Sequence, residues 1–96
     1  MNVAVCRLRF RLPENGSLKG KRQVLKSIQQ RLHNRFNVSV AEVEDNEAWQ
    51  LATMAICCVA NDARHASEVV AKAAAYVEDL RLDIEIIEED SETIAL

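Results

Sequence analysis

Several architectures are excluded by what this 96-residue sequence lacks. It has two glycines, one proline and no low-complexity segment, so a long disordered tail is not expected. No apolar run reaches the ~18–20 residues that a membrane-spanning helix needs. The first ten residues show no basic leader followed by an apolar stretch. We therefore expect a cytoplasmic protein without a membrane segment.

Cysteine and histidine are too few and too scattered to predict a metal centre or a disulfide framework. Cys6, Cys57 and Cys58 lie inside apolar runs and form no CxxC motif. His33 and His65 have no cysteine or carboxylate at ligand spacing. The sequence thus predicts small apolar thiols in a reducing compartment, with no metal and no cofactor.

Charge is divided unequally along the chain. Residues 1–40 hold nine Lys and Arg against one acid, Glu14, a net charge of +8, whereas residues 41–96 carry three against fourteen acids, a net charge of −11. Hydrophobic residues make up 49% of the chain, which is enough for one core in a single domain over residues 1–96. The division predicts separate basic and acidic surfaces on that domain.

Hydrophobic periodicity predicts six elements in the order βαββαβ. One helix starts after its cap Ser17 and ends near Phe36, and a second starts at Asn61 or Asp62. The predicted strands cover residues 3–12, 38–43, 49–60 and 82–89. A bulge is expected near Ala41, and residues 90–96 are expected to form a short tail.

Two right-handed βαβ crossovers predict an α+β, ferredoxin-like sandwich. Its four-stranded antiparallel sheet has the order 4-1-3-2 and two helices on one face. The first strand then lies beside the last strand, and outward-pointing residues of both strands share the uncovered face of the sheet. Three strand arginines are expected to pair there with three acids. They are Arg7, Arg9 and Arg11, opposite Asp83, Glu85 and Glu89.

The first helix carries the candidate nucleic-acid-binding residues Lys19, Lys21, Arg22 and Lys26 in its opening turns. Lys19, Arg22 and Lys26 lie within about 60° of one another, and Lys21 is expected on the other flank of the apolar stripe. These cations can hold an RNA phosphate backbone without reading its sequence. The alternative is a solvated basic face balanced by the acidic half. Because Trp49, at the edge of the third strand, is the only aromatic residue that the open face of the central strands offers, base stacking on the sheet is not expected.

An apolar patch is predicted on the uncovered sheet face and suggests a homodimer. Its residues are Val3, Val5, Leu51, Ala55, Cys57 and Val59. The alternative is that the third strand has the opposite phase and buries its members of this set. A further alternative is an acylphosphatase-like hydrolase using Arg11 and Asn61, but the loop PENGS lacks the backbone-rich phosphate cradle of such enzymes. No enzymatic activity is expected.

Four segments together resemble the YlxP-like family, a family of small bacterial proteins of unknown function. They are VCRLRFRLPENGSLKGKRQVLKSI, RFNVSVAEV, the pair Trp49–Gln50, and Asn61–Asp62 followed by His65. Two positions depart from the family pattern. Gly20 replaces an acidic or polar helix former, which puts a capping box at Ser17 in question, and His33 replaces a basic residue.

The resemblance implies a ferredoxin-like fold with no established enzymatic activity. Members of the family are often encoded near ribosome-maturation and translation-initiation factors. The resemblance therefore implies a partner that is RNA or a ribosomal particle, in small-subunit maturation.

Overall fold

The computed structural model of the chain, which describes residues 1–80 and 83–96, contains six elements in the predicted order. The strands are β1 (Asn2–Arg11), β2 (Ser39–Glu44), β3 (Leu51–Ala60) and β4 (Glu85–Ala95), and the helices are α1 (Leu18–Arg35) and α2 (Ala63–Leu80). The sheet order is β2-β3-β1-β4 with every neighbouring pair antiparallel. This is the order 4-1-3-2 counted from the other edge, and the ferredoxin-like α+β fold is confirmed.

The core lies between the helices and one face of the sheet. Alternation along β1 directs Ala4, Cys6, Leu8 and Phe10 inward, and Leu12, just after the strand, continues the pattern; each is at most 2% exposed. The other large contributors come from β3 and the two helices. They are Met54 and Ile56, then Leu25, Ile28 and Leu32, then Val70 and Val77. Full burial of each large apolar side chain contributes about 1.5–3 kcal/mol.

The two helices cover different parts of the sheet. α1 packs on the edge strand β2, whereas α2 packs on β1, β3 and the other edge strand, β4. Alanines at buried positions of α2 let this helix approach the strands closely. Both helices have 18 residues, and among the described residues neither is apolar enough to cross a membrane.

β3 has the phase that the sequence predicts, which decides which of its residues lie on the uncovered face of the sheet. In the antiparallel register Val3 lies opposite Val59, and Val5 lies opposite Cys57. Odd-numbered residues of β3 therefore share the uncovered face with odd-numbered residues of β1, and Ala52, Met54, Ile56 and Cys58 face the helices. The opposite phase, which would bury the predicted patch, does not occur.

The last strand is longer than its sequence predicts. β4 continues to Ala95, which pairs with Asn2, so the prediction of a tail over residues 90–96 is wrong. Backbone hydrogen bonding extends to the terminal residues, where Leu96 N donates to Met1 O at 2.7 Å. As an edge strand, β4 needs little apolar surface, and the polar residues 90–93 show no alternation that would predict its continuation. The predicted start at residue 82 lies outside the described residues.

Irregularities in the sheet occur at the two edge strands. The β2–β3 register shifts between Glu42 and Glu44, so the bulged residue is Val43. The bulge therefore lies two residues after Ala41, near which it was predicted. The β1–β4 register shifts between Arg9 and Phe10. β3 begins at Leu51, two residues later than predicted, so that Trp49 and Gln50 belong to the loop that precedes it.

Candidate nucleic-acid interface

Three of the four predicted RNA-binding residues are exposed on the outer face of α1. Lys19, Arg22 and Lys26 are separated by three and four residues, so they follow one row along the helix surface. α1 contains no Asp or Glu over its whole length. Within residues 1–80 and 83–96 none of the three forms an ion pair within 4.0 Å. We call Lys19, Arg22 and Lys26 the basic ridge.

Lys21 is not part of this surface. Its side chain is 0% exposed, because Lys21, Leu25, Ile28 and Leu32 recur at intervals of four, three and four residues and form the buried stripe of α1. The prediction that Lys21 lies on the RNA-binding surface is therefore wrong. That prediction placed Lys21 beside the apolar stripe, whereas its position four residues before Leu25 places it within the stripe.

Lys21 ties α1 to the loop between β2 and β3. Its Nζ donates hydrogen bonds to three backbone carbonyls, those of Asp45 at 2.8 Å, Asn46 at 3.3 Å and Leu51 at 3.3 Å. Glu42 Oε2 lies 2.8 Å from the same nitrogen. This oxygen accepts no well-angled hydrogen bond from the described residues, so its contact with the ammonium group is a charge pairing. The three ammonium hydrogens are thus used within the protein.

Asp45 connects this buried lysine to the open face of the sheet. Its backbone has φ 63°, in the left-handed region, and its carbonyl faces Lys21. Its carboxylate accepts hydrogen bonds from Thr53 Oγ1 at 2.6 Å and Arg9 Nε at 3.2 Å. The hydrogen bond from Thr53, and then that from Arg9, lower the pKa of Asp45 despite some desolvation. From the sequence, Asp45 lies between the second and third predicted strands and has no assigned role.

The strand arginines pair with acids from both edges of the sheet. Arg7 contacts Asp90 and Glu44, each at 3.1 Å. Arg9 contacts Asp45 at 3.2 Å and Glu88 at 3.5 Å. Pairing with β4 is therefore confirmed for both arginines. We call the two arginines and their four acidic partners the arginine–acid lattice: Arg7, Arg9, Glu44, Asp45, Glu88 and Asp90.

The β4 partners in the lattice differ from those predicted. They are Asp90 and Glu88, and not Asp83, Glu85 or Glu89. The extended strand and its register shift bring different acids opposite the arginines. Arg11 lies opposite Glu85 in the register, and no ion pair joins Arg11 to the described residues.

The Trp49–Gln50 pair fixes the loop that precedes α1. Gln50 Nε2 donates to the carbonyls of Asn15 at 2.9 Å and Pro13 at 3.3 Å. Asn15 Nδ2 in turn donates to the carbonyls of Trp49 at 2.5 Å and Ser17 at 2.7 Å. These crossed hydrogen bonds join the β1–α1 loop to the β2–β3 loop. Two of the four segments that carry the family resemblance, the first segment and the pair Trp49–Gln50, therefore meet here.

The predicted cap at Ser17 is present, and Asn15 beside it accounts for a glycine at position 20. Ser17 Oγ accepts a hydrogen bond from Gly20 N at 2.9 Å. A Cβ atom at position 20 would overlap Asn15 Oδ1, which is held in place by the hydrogen bonds of its amide. A side chain at position 20 would therefore displace Asn15 and disturb these hydrogen bonds, which glycine avoids. Because Ser17 already binds an amide at the helix start, the basic ridge, and not the helix terminus, is the candidate anion-binding surface.

The six predicted interface residues all lie on the uncovered face, in two groups. Val3, Val5, Cys57 and Val59 lie together at one end, where Ile94 of β4 joins them opposite Val3. Val59 is 59% exposed and Ile94 40%. We call these five residues the apolar end of the face. Ala55 lies beside Arg7, and Leu51 lies beyond the arginine–acid lattice, opposite Arg11.

The acylphosphatase-like pair is not brought together. Arg11 ends β1 opposite Leu51, and Asn61 follows Ala60 at the other end of β3. Ten residue steps separate Asn61 from Leu51, the residue opposite Arg11, which is about 33 Å at the usual rise per residue. Arg11 and Asn61 therefore cannot contact one phosphate group together.

Comparison with known proteins gives a family but no activity. A family model described as "Protein of unknown function (DUF503)" matches residues 3–91. The chain is also 35% identical over 63 residues to a protein of Bacillus subtilis (strain 168) described as "Uncharacterized protein YlxP", an alignment that covers 66% of this chain and 68% of that protein. The predicted YlxP-like resemblance is confirmed by both matches.

Proposed function

This chain belongs to the DUF503 family, and since that membership assigns no activity, we propose from the geometry that it binds RNA through the basic ridge of α1. The observation that carries the proposal is the contrast between the two sets of cations. Arg7 and Arg9 are neutralised by the arginine–acid lattice, whereas Lys19, Arg22 and Lys26 have no acidic partner among the described residues. Unpaired cations in a row suit a phosphate backbone.

The proposed partner is ribosomal RNA or a small-subunit particle in the cytoplasm, as the family resemblance implies. The ridge spans eight residues from Lys19 to Lys26, and the seven steps between them cover about 10 Å of helix. A surface of that length contacts a few consecutive phosphates and fixes the position of the protein without reading bases. The role is therefore binding and placement, and the proposal requires no catalytic residue.

Charge reversal of the basic ridge tests this function. We expect the variant Lys19→Glu, Arg22→Glu, Lys26→Glu to lose co-sedimentation with ribosomal particles at low salt. We also expect it to lower the slope of log affinity against log salt concentration for an RNA fragment by about 2–3, since each phosphate contact contributes about 0.7–0.9. Equilibrium titrations at several salt concentrations would measure both the affinity and the slope.

A matched control separates the ridge from net charge. The variant Arg31→Glu, Arg64→Glu, Lys72→Glu changes the net charge equally, at three cations outside the ridge. We expect it to retain most of the affinity and the original salt slope. Equal losses in both variants, or no loss in the ridge variant, would contradict a specific role for the ridge.

A second proposed function is self-association through the apolar end of the uncovered face. It is supported by the exposure of Val59 and Ile94 beside half-buried Val3 and Val5. A symmetric dimer formed there would place two basic ridges on one particle. This second function is compatible with RNA binding, because the apolar end and the ridge are on opposite layers of the sandwich.

Cysteine reactivity tests the dimer. Cys57 lies on the uncovered face, whereas Cys6 and Cys58 are buried, and burial raises the pKa of Cys6. We expect one thiol per chain to react with a soluble disulfide reagent in dilute protein, and its rate to fall roughly tenfold at concentrations that populate the dimer. Val59→Glu should make that rate independent of concentration. A rate for the unsubstituted chain that is constant up to millimolar protein would exclude the interface.

A further inference from the structure

A cavity of about 490 Å³ lies at the end of the sheet where β1 ends and β3 and β4 begin. It is lined by residues of these three strands and of the β1–α1 and β2–β3 loops. They are Arg11, Pro13, Ala48, Gln50, Leu51 and Glu85. Small-molecule sites usually occupy about 300–1,000 Å³, so the cavity has a suitable size. None of its lining residues belongs to the basic ridge or to the apolar end, and neither proposed function uses it.

Hydrogen bonds between the two loops hold the walls of the cavity in place. Gln50 Nε2 donates to the Pro13 carbonyl at 3.3 Å, and the Gln50 carbonyl accepts from Leu12 N at 3.0 Å. Ala48 N donates to the carbonyl of Asp45, also at 3.0 Å. A cavity with ordered walls costs a ligand less entropy on binding, because the loops need no further ordering.

Arg11 is the cation of this cavity, and it differs from the other strand arginines. Arg7 and Arg9 each contact the acid directly opposite on β4, at 3.1 and 3.5 Å. Arg11 lies opposite Glu85 in the same strand pair, yet neither side chain forms an ion pair within 4.0 Å among residues 1–80 and 83–96. The cavity therefore presents one guanidinium group and one carboxylate whose charges are available to a ligand.

These two charges select the class of ligand. A guanidinium group binds a carboxylate through two parallel N–H···O hydrogen bonds, whereas a carboxylate binds an ammonium group. A simple anion would be attracted by Arg11 and repelled by Glu85, so it gains little from the cavity. A zwitterion is attracted by both residues. Directly opposite positions of an antiparallel pair lie about 4.5–5.5 Å apart at Cα, so a small molecule can reach both side chains.

The rest of the lining favours a ligand with an aliphatic group. Pro13, Ala48 and Leu51 present hydrocarbon surface to the cavity. An aliphatic group placed against these residues is removed from water, which favours binding. A hydrophilic zwitterion lacks this contribution.

We propose that this cavity binds a free α-amino acid with an aliphatic side chain. Its carboxylate pairs with Arg11, its ammonium group with Glu85, and its side chain packs against Pro13, Ala48 and Leu51. The two charged groups of an α-amino acid are attached to one carbon atom, so both reach their partners when that carbon lies between the strand ends. This binding site is separate from RNA binding and from self-association.

Nuclear magnetic resonance locates and measures such binding, because the amide signals of Ala48, Gln50 and Leu51 report on the cavity. The probes are L-leucine, N-acetyl-L-leucine, which lacks the ammonium group, L-leucinamide, which lacks the carboxylate, and L-serine, which lacks the aliphatic side chain. We expect L-leucine to shift these amide signals saturably, with a Kd of about 1 mM or below. Each of the other probes should bind about tenfold more weakly, since each loses one charged hydrogen bond or the burial of its side chain.

Substitutions in the cavity supply the second measurement. We expect Arg11→Gln and Glu85→Gln each to weaken the binding of L-leucine about tenfold. Arg11→Gln should also remove the preference for L-leucine over L-leucinamide, and Glu85→Gln the preference for L-leucine over N-acetyl-L-leucine. Arg31→Gln, which removes one cation of α1 outside the cavity, should bind L-leucine as the unsubstituted chain does.

Three outcomes would overturn the proposal. One is the absence of saturable shifts at the three cavity amides up to about 20 mM L-leucine. Another is equally tight binding of N-acetyl-L-leucine or L-serine, which would remove the requirement for a zwitterion or for an aliphatic group. The third is unchanged affinity for L-leucine in Arg11→Gln. The charge-reversed ridge variant should bind L-leucine normally, so failure of the RNA-binding function and failure of this site are separate results.

Discussion

Replacement of Lys21 by methionine is expected to lower the free energy of unfolding by about 3 kcal/mol, because a buried charge pair loses one partner. Methionine fills similar space but leaves the Glu42 carboxylate and three backbone carbonyls without their cation. The lower end of the usual range for buried pairs applies, since the Glu42 side chain keeps 18% exposure. Against a total of about 5–15 kcal/mol this is a large fraction. Urea unfolding followed by circular dichroism would measure the loss.

Two further variants make the Lys21 prediction specific. Lys19→Met removes a cation two residues away on the exposed side of α1 and should change stability by less than about 0.5 kcal/mol. The double variant Lys21→Met, Glu42→Leu removes both charges and should recover most of the loss. A Lys21→Met protein within 1 kcal/mol of the original would show that water replaces the ammonium group at little cost.

Asp45→Ala is expected to cost about 2–3 kcal/mol at neutral pH. Alanine in the left-handed region is strained by about 1–2 kcal/mol. Loss of the carboxylate also leaves the hydroxyl of buried Thr53 without its acceptor, a cost of about 1–3 kcal/mol. Asp45→Asn tolerates the same backbone and keeps an acceptor, so it should cost less. A loss in Asp45→Ala no larger than that in Asp45→Asn would contradict the strain at this position.

The lowered pKa of Asp45 predicts that the stability of the fold depends on pH. Hydrogen bonds from Thr53 and Arg9 lower the pKa of Asp45 below its ordinary value of 3.8. The folded protein therefore binds this proton less readily than the unfolded chain. The contribution of Asp45 to stability is complete above about pH 4–5, and it is lost as the pH falls through the lowered pKa. We expect unfolding curves of Asp45→Asn to depend less on pH below about 4 than those of the original chain.

Periodicity in the sequence predicted the elements that bury a regular apolar face. β1 alternates cleanly, so both its inward residues and its outward arginines were assigned correctly. The second half of β4, residues 90–95, was missed because an edge strand with one open face keeps polar residues along most of its length. Its true register, and thus the partners of Arg7 and Arg9, depends on a bulge that only tertiary pairing determines.

The candidate site was predictable in part for a similar reason. The alignment of Lys19, Arg22 and Lys26 in one row follows from helix geometry alone. The spacing of Lys21 to Leu25 also places it in the buried stripe, whereas lysine as a residue type favours an exposed position. The left-handed backbone of Asp45 and the hydrogen bonds from Asn15 and Gln50 to the loops arise where residues distant in sequence meet, and no local pattern specifies them.

The order of strands in the sheet also makes the molecule an electric dipole. α1 with its cations packs on β2 at one edge, and β4 forms the other edge, where Glu85, Glu89 and Glu92 form no ion pair with the described residues. Near a polyanion such a molecule experiences a torque as well as an attraction, since one edge is drawn in and the other is pushed away. A net charge of −3 then does not prevent approach. The chain would arrive already turned with α1 towards the polyanion.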